Sequence, residues 1–319
     1  MLELKKLIGN TTFTEAKNLA KLLGCERLFL KFEGSNPTGT QKDRIALSLV
    51  EDASHNGHKG IITATCGNFG AALAYVAKYY GIETHIYIPT NYHLVKNRIN
   101  YIKQSNAHLH YVEGHYEDAV NFSSEIAEKE NFYNANPGYP RVKDISFSAY
   151  GEISLEIYKV LRRIPDYIFC PVGNGTTLFG IHQGFKKLYK EGKISKLPKI
   201  VATSTRKGNP IIKSYKLKSK IILDLSPNEV KESKVNEPLT NWHSYDGQEA
   251  LDAIYESNGF ADYASDTKMI NYSKILREEQ GLNALPASTS TLAVLSGLKK
   301  EDVILKGTYV AIITGRDFR

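Results

Sequence analysis

A lysine stands where a turn ends and a helix begins in residues 36–44, which have the sequence Asn-Pro-Thr-Gly-Thr-Gln-Lys-Asp-Arg. Pro37 and Gly39 are typical of a turn, and the apolar residues after Arg44 favour a helix. We therefore expect the Lys42 amine to face a cavity lined by backbone amides. Partial desolvation there would lower its proton affinity, and a neutral amine can attack a carbonyl carbon. On this segment alone, a solvated lysine in the first turn of a surface helix remains the alternative.

A polar loop at residues 65–70, Thr-Cys-Gly-Asn-Phe-Gly, joins a predicted strand to a predicted helix. Gly67 permits a tight turn there. The backbone amides at the helix start, together with the positive end of the helix dipole, would bind a carboxylate. Asn68 could exchange a hydrogen bond with a phenolic oxygen. Considered alone, the loop is explained equally well by an Asx turn without a ligand.

Two further polar segments follow strands in the second half of the chain. Residues 171–177, Pro-Val-Gly-Asn-Gly-Thr-Thr, have the glycines and amides of an anion-binding turn, and the threonine hydroxyls add donors for a phosphate. The spacing matches neither a nucleoside-triphosphate loop nor the dinucleotide pattern Gly-x-Gly-x-x-Gly. A small phosphate-bearing cofactor fits it better. Thr314 follows the last predicted strand, where its hydroxyl could hydrogen-bond a ring nitrogen.

The elements that must position these residues alternate between short β-branched runs and longer amphipathic runs. Strands are predicted at residues 61–65, 85–88, 108–112, 167–170, 200–203 and 309–313, and helices at about 69–80, 93–104, 116–130, 146–161, 178–189 and 288–297. This alternation predicts an α/β fold of two doubly wound parallel-sheet lobes, with a cofactor in the crevice between them at the carboxyl ends of the strands. We expect a smaller, mobile lobe at 36–144 and a larger cofactor-binding lobe formed by 1–35 and 145–319. Residues 223–266 are polar and receive no assignment.

The composition of the 319 residues is that of a globular protein, with 42% hydrophobic and 24% charged residues. The net charge is +7, but the basic residues are scattered among acidic ones, so no nucleic-acid partner is expected. We also expect no membrane partner and a cytoplasmic location, because no apolar run would cross a bilayer and the first residues lack a signal-peptide pattern. Neither the three separated cysteines nor the histidines at 85, 108 and 110 suggest a metal site.

Four motifs occur in one order along the chain: residues 33–39, 171–174, 285–288 and 313–315. That order resembles the tryptophan-synthase-like group (fold type II) of pyridoxal-phosphate enzymes, and the resemblance covers nearly the whole chain. Within the group, the chain is most similar to the threonine synthases. The resemblance implies pyridoxal 5'-phosphate as cofactor, a small amino-acid substrate and a homodimer. It also implies a carbon–oxygen lyase that converts O-phosphohomoserine and water into threonine and phosphate.

The resemblance also implies roles for particular residues. Lys42 would hold the cofactor as a Schiff base and move protons, Asn68 would contact the ring hydroxyl, and Thr314 would face the pyridine nitrogen. The cofactor phosphate would be bound by Gly173, Asn174, Gly175, Thr176 and Thr177. The substrate would be bordered by Thr65, Cys66, Gly67 and Phe69, and Arg141, which lies where the family keeps an arginine, would bind the substrate phosphate.

The chain departs from the family pattern at Gln41, Cys66, Phe69 and Thr176, and it lacks the usual Gly-x-Lys after Thr314-Gly315. Two of these residues, Cys66 and Phe69, border the expected substrate. The sequence therefore leaves open another reaction with the same cofactor, either β-replacement as in cysteine synthase or deamination of serine or threonine. A non-catalytic amino-acid or phosphate sensor also stays open. A nicotinamide dehydrogenase is excluded by the missing dinucleotide pattern.

Overall fold

The computed structural model describes residues 2–65, 67–90, 96–114, 116–299 and 305–318. Two compact units make up the chain. Unit 1 comprises Met1–Asn10 and Asn36–Ala149, and unit 2 comprises Thr11–Ser35 and Tyr150–Arg319. The lobe boundaries expected from the sequence, at 36 and 145, stay a prediction. None of the described helices is both long and apolar enough to cross a bilayer.

The strands are, in chain order, β1 (Thr12–Glu15), β2 (Cys25–Phe32), β3 (Gly60–Ala64), β4 (Glu83–Pro89), β5 (His108–Val112), β6 (Tyr133–Asn134), β7 (Tyr167–Pro171), β8 (Lys199–Thr205), β9 (Phe260–Ala264) and β10 (Leu305–Ile313). The helices are α1 (Leu2–Leu7), α2 (Lys17–Leu23), α3 (Lys42–His55), α4 (Asn68–Tyr80), α5 (Lys96–Gln104), α6 (Tyr116–Lys129), α7 (Pro140–Leu161), α8 (Thr176–Lys190), α9 (Pro210–Lys216), α10 (Gly247–Glu256), α11 (Asp266–Gln280) and α12 (Ser290–Gly297).

Unit 1 is built on a four-stranded parallel sheet with the order β5-β4-β3-β6. Every residue of the central strand β3 is buried, as is typical of a parallel strand whose two faces are covered. Helices α3 and α4 contribute the apolar side chains of Leu49, Val50, Leu73 and Val76 to the core of this unit. Helix α4 ends at Gly81, whose φ of +66° is a conformation that glycine adopts without strain. The sheet thus places the end of β3 directly before the loop at 65–67.

Unit 2 is built on a six-stranded sheet with the order β1-β2-β10-β7-β8-β9. All neighbouring strands are parallel except β1, which pairs antiparallel with β2 at one edge. Strands β7 and β10 are neighbours, so the glycine-rich segment after β7 and Thr314 after β10 leave the same edge of the sheet. Helix α8 follows that segment and buries Leu178, Ile181 and Phe185.

The structure confirms the expected fold class of two α/β lobes with parallel sheets. Three details differ from the expectation. Strand β1 is antiparallel, which an edge strand tolerates. Helix α7 begins at Pro140 instead of residue 146, because proline suits the first turn of a helix, where no intrahelical N–H is needed. The unassigned residues 223–266 contain α10, β9 and two 3-10 turns.

Candidate active site

Lys42 is the first residue of α3, and it follows a turn that is tied to the same helix. Gly39, at φ +81°, donates its N–H to the carbonyl of Asn36 (2.8 Å) and closes the turn. The buried carboxylate of Asp43 accepts hydrogen bonds from the backbone N–H of Thr38 (2.7 Å) and from the Thr38 hydroxyl. The helix dipole stabilises this negative charge in the first turn. The turn and the carboxylate together fix the backbone that carries Lys42, as the sequence predicts.

The loop between β3 and α4 directs backbone N–H groups out of the start of a helix. In α4, Ala71 N–H donates to Gly67 O (3.0 Å), so the N–H groups of residues 68–70 have no partner within the helix. Among the described residues, no side chain caps this end. The buried Thr65 hydroxyl accepts a hydrogen bond from Gly67 N–H (3.3 Å) and so shapes the loop. The loop has the donors that a carboxylate needs; Cys66 lies outside the described residues.

Phe69 is half-buried, and its ring packs against the hydrophobic core of unit 1. Gly70 follows it, and a Cβ there would lie 2.6 Å from Thr65 Cγ2, so only glycine lets the helix start this close to the loop. The contacts of Phe69 are therefore those of a packing residue. Its expected place beside the substrate stays a prediction.

Asn136 fixes the end of β3 and was missed by sequence reasoning. This fully buried residue accepts a hydrogen bond from Ala64 N–H at Oδ1 (2.7 Å). Its Nδ2 donates to the hydroxyls of Ser123 (2.8 Å) and Ser124 (3.0 Å) on α6. One side chain thus ties the strand before the 65–70 loop to a helix. The partners are 12 to 72 residues away in sequence, and the only local sign was an asparagine-rich loop at 134–140.

Replacing Asn136 by alanine is expected to lower the free energy of unfolding by about 3 kcal/mol, because it leaves the buried Ala64 N–H without its acceptor and removes the amide that donates to the two serine hydroxyls. Urea denaturation followed by circular dichroism measures this change. Asn121→Ala, on the exposed face of α6, is the control and should change stability by less than about 0.5 kcal/mol. Equal effects of the two substitutions would contradict the role given to Asn136.

The glycine-rich segment at 173–177 turns directly into α8 in a conformation that requires glycine. Gly175 has φ +96° and directly precedes the helix. A Cβ on Gly173 would lie 2.8 Å from the carbonyl oxygen of Pro238. Phe179 N–H donates to Gly175 O (3.0 Å), so the N–H groups of residues 176–178 point out of the helix end. Backbone donors at the start of a 15-residue helix have the geometry that an anion-binding turn needs, and the binding of a phosphate here stays a prediction.

Side chains from the region that sequence reasoning left unassigned hold this turn in place. Asn241 Nδ2 donates to Asn174 Oδ1 (2.8 Å), and Asp246 N–H donates to the carbonyl of Asn174 (3.2 Å). The Thr176 hydroxyl donates to Asp246 Oδ2 (2.5 Å). The Thr176 hydroxyl therefore already donates its proton within the protein. Thr176 can offer a ligand its backbone N–H, instead of the side-chain donor expected from the sequence.

Asn209 supports the same turn from the other side. It caps α9 by accepting hydrogen bonds from the N–H groups of Ile211 and Ile212, and its Nδ2 donates to Gly173 O (3.1 Å). An asparagine followed by proline, as in Asn209-Pro210, is a recognisable helix start, so the cap was detectable from the sequence. Its bond to Gly173 was not, because the two residues are 36 positions apart.

Thr314 follows β10 and is paired with Ser288. The two hydroxyl oxygens are 3.0 Å apart, and Ser288 Oγ also accepts a hydrogen bond from Gly315 N–H (3.0 Å). Ser288 is fully buried, so these two bonds fix its hydroxyl. When Ser288 donates to Thr314, the proton of Thr314 remains available for an acceptor outside the pair. Ser288 is thus a positioning residue that sequence reasoning did not assign.

Arg141 is engaged in an ion pair within unit 1. Its Nε and Nη2 donate to the two carboxylate oxygens of Asp52 (2.6 and 2.5 Å), and Tyr133 also donates to Asp52 (2.7 Å). The guanidinium lowers the pKa of the Asp52 carboxyl. Asp52 lies ten residues after Lys42 on α3, which is about 15 Å along a helix. The described contacts of Arg141 are therefore those of an ion pair, and its expected contact with the substrate phosphate stays a prediction.

Unit 2 has a surface cavity of about 830 Å³, which lies away from the glycine-rich turn and from Thr314. It is bordered by Asp166, Lys199 and Gly307, which lie next to the amino ends of β7, β8 and β10. The glycine-rich turn and Thr314 leave the carboxyl ends of β7 and β10. The cavity is thus on the opposite edge of the sheet and takes no part in the candidate site.

The fold and the polar strand ends define a class of enzyme that binds a phosphate-bearing cofactor. A family model described as "Pyridoxal-phosphate dependent enzyme" matches residues 4–315, and the chain belongs to that family. Pyridoxal phosphate is accordingly its cofactor, as the sequence predicts, and the protein is a pyridoxal-phosphate-dependent enzyme instead of a non-catalytic sensor.

Two curated relatives and one solved structure are similar to the chain. The chain is 28% identical to the threonine synthase of Methanocaldococcus jannaschii over 310 residues, which is 96% of this chain and 74% of the relative. It is 29% identical to the threonine synthase of Bacillus sp. (strain ULM1) over 313 residues, 98% and 83% of the two chains. Maize serine racemase has a similar fold, with a TM-score of 0.78 at 18% identity over 100% of this chain and 94% of that one.

The residues present fit pyridoxal phosphate. The turn at 173–177 has glycine where a Cβ would collide with Pro238 and Asp246, and it directs N–H groups from a helix end, which suits a phosphate. Thr314 offers a hydroxyl for a ring nitrogen. Lys42 stands at a helix start on a backbone fixed by its own turn. Each feature is described within its own unit. The turn at 173–177 matches the phosphate of the cofactor, Thr314 matches the pyridine nitrogen, and Lys42 matches the aldehyde.

Proposed function

We propose that the protein converts O-phosphohomoserine and water into threonine and inorganic phosphate, the reaction of a threonine synthase. The observation that carries this proposal is the similarity to curated threonine synthases along 96–98% of the chain. The site residues support it, because they offer separate donors for the cofactor phosphate and for a substrate carboxylate. The overall reaction breaks the bond between Cγ and oxygen and forms a bond between Cβ and the oxygen of water.

We assign each functional group of the cofactor to the residue that the resemblance implies for it. Lys42 would hold its aldehyde carbon, Asn68 its ring hydroxyl, Thr314 its ring nitrogen, and the segment at 173–177 its phosphate. When bound, pyridoxal phosphate accepts the electron pair left on carbon after a proton is removed. A neutral hydroxyl at Thr314 does not stabilise a protonated ring nitrogen as a carboxylate would. That moderates the electron sink and suits elimination and replacement at Cβ.

The proton transfers are assigned to Lys42. Its amine, released when the substrate amine takes its place, would accept the proton from substrate Cα and, once it has released that proton and is neutral again, accept one from Cβ. The substrate carboxylate would be held by the N–H groups at the start of α4, next to Thr65 and Gly67. Holding the carboxylate at a fixed helix end would align substrate Cα and Cβ with the amine of Lys42, so that a single lysine could serve both positions.

A substrate panel with solvent labelled with ¹⁸O tests the reaction. The purified holoenzyme is given O-phosphohomoserine, O-acetylserine with sulfide, serine or threonine, and threonine, phosphate, cysteine, ammonia and 2-oxo acid are measured by chromatography and mass spectrometry. We expect threonine and phosphate in equal amounts, with ¹⁸O in the threonine hydroxyl and none in the phosphate. A simple phosphatase would instead place the label in the phosphate.

The other outcomes identify the alternative reactions. Cysteine from O-acetylserine without turnover of O-phosphohomoserine would assign β-replacement. Ammonia and 2-oxobutanoate from threonine would assign deamination. Either result would reject the proposed substrate while leaving the cofactor assignment intact, since both reactions also need the amine of Lys42.

A further inference from the structure

Three histidines and a glutamate lie together on one face of the unit 1 sheet. Strands β4 and β5 pair in parallel with His85 opposite His108 and Tyr87 opposite His110. Glu83 is two residues before His85 on β4, so alternation along the strand places both side chains on the same face. The strand register therefore brings together histidines whose positions in the sequence do not suggest a metal site.

The ligand atoms of this cluster have metal-site spacing. Glu83 Oε1 lies 3.1 Å from His85 Nε2 and 3.3 Å from His108 Nε2, and all three atoms are within 4.8 Å of one another. Ligands bound at about 2.0–2.1 Å in a tetrahedron around zinc are about 3.3 Å apart. Two of the three separations already match that value. The His108 side chain is 56% exposed, so its ring is free to turn and close the third.

His85 is prepared as a ligand by its surroundings. Its Nε2 is buried and makes no hydrogen bond among the described residues, although Glu83 Oε1 lies at ion-pair distance. Its other ring nitrogen, Nδ1, is 3.0 Å from His110 Nε2. A histidine that binds a metal through Nε2 carries its proton on Nδ1 and donates it to a neighbour that fixes the ring. His110 is placed to be that neighbour.

The hydrogen-bonding groups of the cluster agree with this arrangement. An imidazole binds a metal in its neutral form, and a neutral His110 has a lone pair that can accept the proton of His85 Nδ1. The carboxylate of Glu83 supplies negative charge and is 48% exposed, so a metal ion has access from solvent.

We propose that Glu83, His85 and His108 form a binding site for a divalent transition-metal ion, with Zn²⁺ as the best match, and that His110 orients His85. Three protein ligands leave the fourth tetrahedral position to water. The ion would join β5, an edge strand of the sheet, to its neighbour β4. The site is separate from the proposed cofactor residues, so this inference stands or falls independently of the reaction.

Calorimetric titration of the chelator-treated holoenzyme with ZnCl₂ tests the proposal. We expect one zinc per chain, with an affinity reduced at least about tenfold in Glu83→Gln and in His108→Asn, because each removes a ligand at an exposed position. His110→Gln should weaken binding about tenfold while leaving one zinc per chain. Cobalt in place of zinc should give visible absorption bands that His108→Asn abolishes.

The matched control is His243→Asn. His243 also pairs with a carboxylate, Asp224 (2.9 Å), but it belongs to no group of three ligating side chains in the part of the chain that the structure describes. Its substitution should leave zinc affinity unchanged. The proposal is overturned if wild-type protein shows no stoichiometric binding, or if Glu83→Gln and His108→Asn bind zinc as tightly as the wild type does. Circular dichroism of each variant establishes that it is folded.

Discussion

Replacing Lys42 by alanine is expected to reduce the turnover number with the physiological substrate by at least about 10³-fold, because the same amine is assigned both the attachment of the cofactor and the proton transfers. The purified variant should also lose the visible absorption that a lysine-linked cofactor gives. After borohydride reduction, the wild-type protein should carry the cofactor on a peptide that contains Lys42, and the variant should carry none. Mass spectrometry of the digested protein measures this directly.

Two further variants separate the amine of Lys42 from its charge and from lysine loss in general. Lys42→Arg keeps the positive charge but cannot attack an aldehyde, so it should be as inactive as the alanine variant. Lys59→Ala removes an exposed lysine in the same unit and should change neither the spectrum nor the rate. If borohydride fixed the cofactor to another lysine, or if Lys42→Arg retained wild-type activity, the role assigned to Lys42 would be wrong.

The strands that carry the site were predictable because they are buried on both faces. Residues 61–65 and 167–170 were expected as strands, and β3 and β7 lie within one residue of those bounds. A covered parallel strand is a continuous β-branched or apolar run, which is the strongest local signal of its kind. Strand β2 was missed even though it is central to unit 2. It contains Lys31, which is 1% exposed, is paired with Glu156 (2.5 Å) and donates to the carbonyl of Thr11 (2.9 Å); these partners, distant in sequence, make the charge acceptable in the core.

The residues of the candidate site likewise fall into two groups: those that the local sequence indicates, and those that only contacts between distant residues reveal. Local sequence indicated Gly173, Gly175 and Lys42, because the residues that favour a turn are neighbours in the chain. The residues that hold the loops of the candidate site, such as Asn136, Ser288 and Asn241, act across 26 to 72 positions of sequence, and the local sequence does not indicate these contacts. For Arg141, the position in the sequence suggested a cation that binds the substrate. In the structure, its ion pair with Asp52, on a separate helix, decides where the guanidinium lies.

Support by distant side chains has a consequence for the helix starts of the site. Helices α3, α4 and α8 begin without a side-chain cap among the described residues, whereas α9 and α11 are capped by Asn209 and Ser265. Leaving a helix start uncapped costs about 1 kcal/mol. The loops of the site tolerate that cost because Asp43, Asn136 and Asn241 stabilise them from outside. The N–H groups at 68–70 and 176–178 are therefore left available to the ligand that we propose.

Replacing Gly175 by alanine is expected to raise the dissociation constant for pyridoxal phosphate about tenfold to a hundredfold. The added Cβ would lie 2.7 Å from Ala250 Cβ and 2.8 Å from the backbone oxygen of Asp246, and a backbone atom cannot move aside as a flexible side chain can. The turn must therefore shift and carry its N–H groups away from the phosphate. The left-handed φ of +96° adds about 1–2 kcal/mol of strain to the folded state. Fluorescence titration of the cofactor-free protein measures the affinity, and urea denaturation measures the stability.

Gly192→Ala is the control that isolates the contact from the strain. Gly192 follows the other end of α8 with φ +67°, and a Cβ there would meet no atom within 4 Å. This variant should lose about 1 kcal/mol of stability and bind the cofactor with unchanged affinity. The difference between the two variants then reports the collision at the turn alone. Equal cofactor affinities in both would mean that the N–H groups at 176–178 do not hold the phosphate, because the only turn that the substitution displaces is theirs.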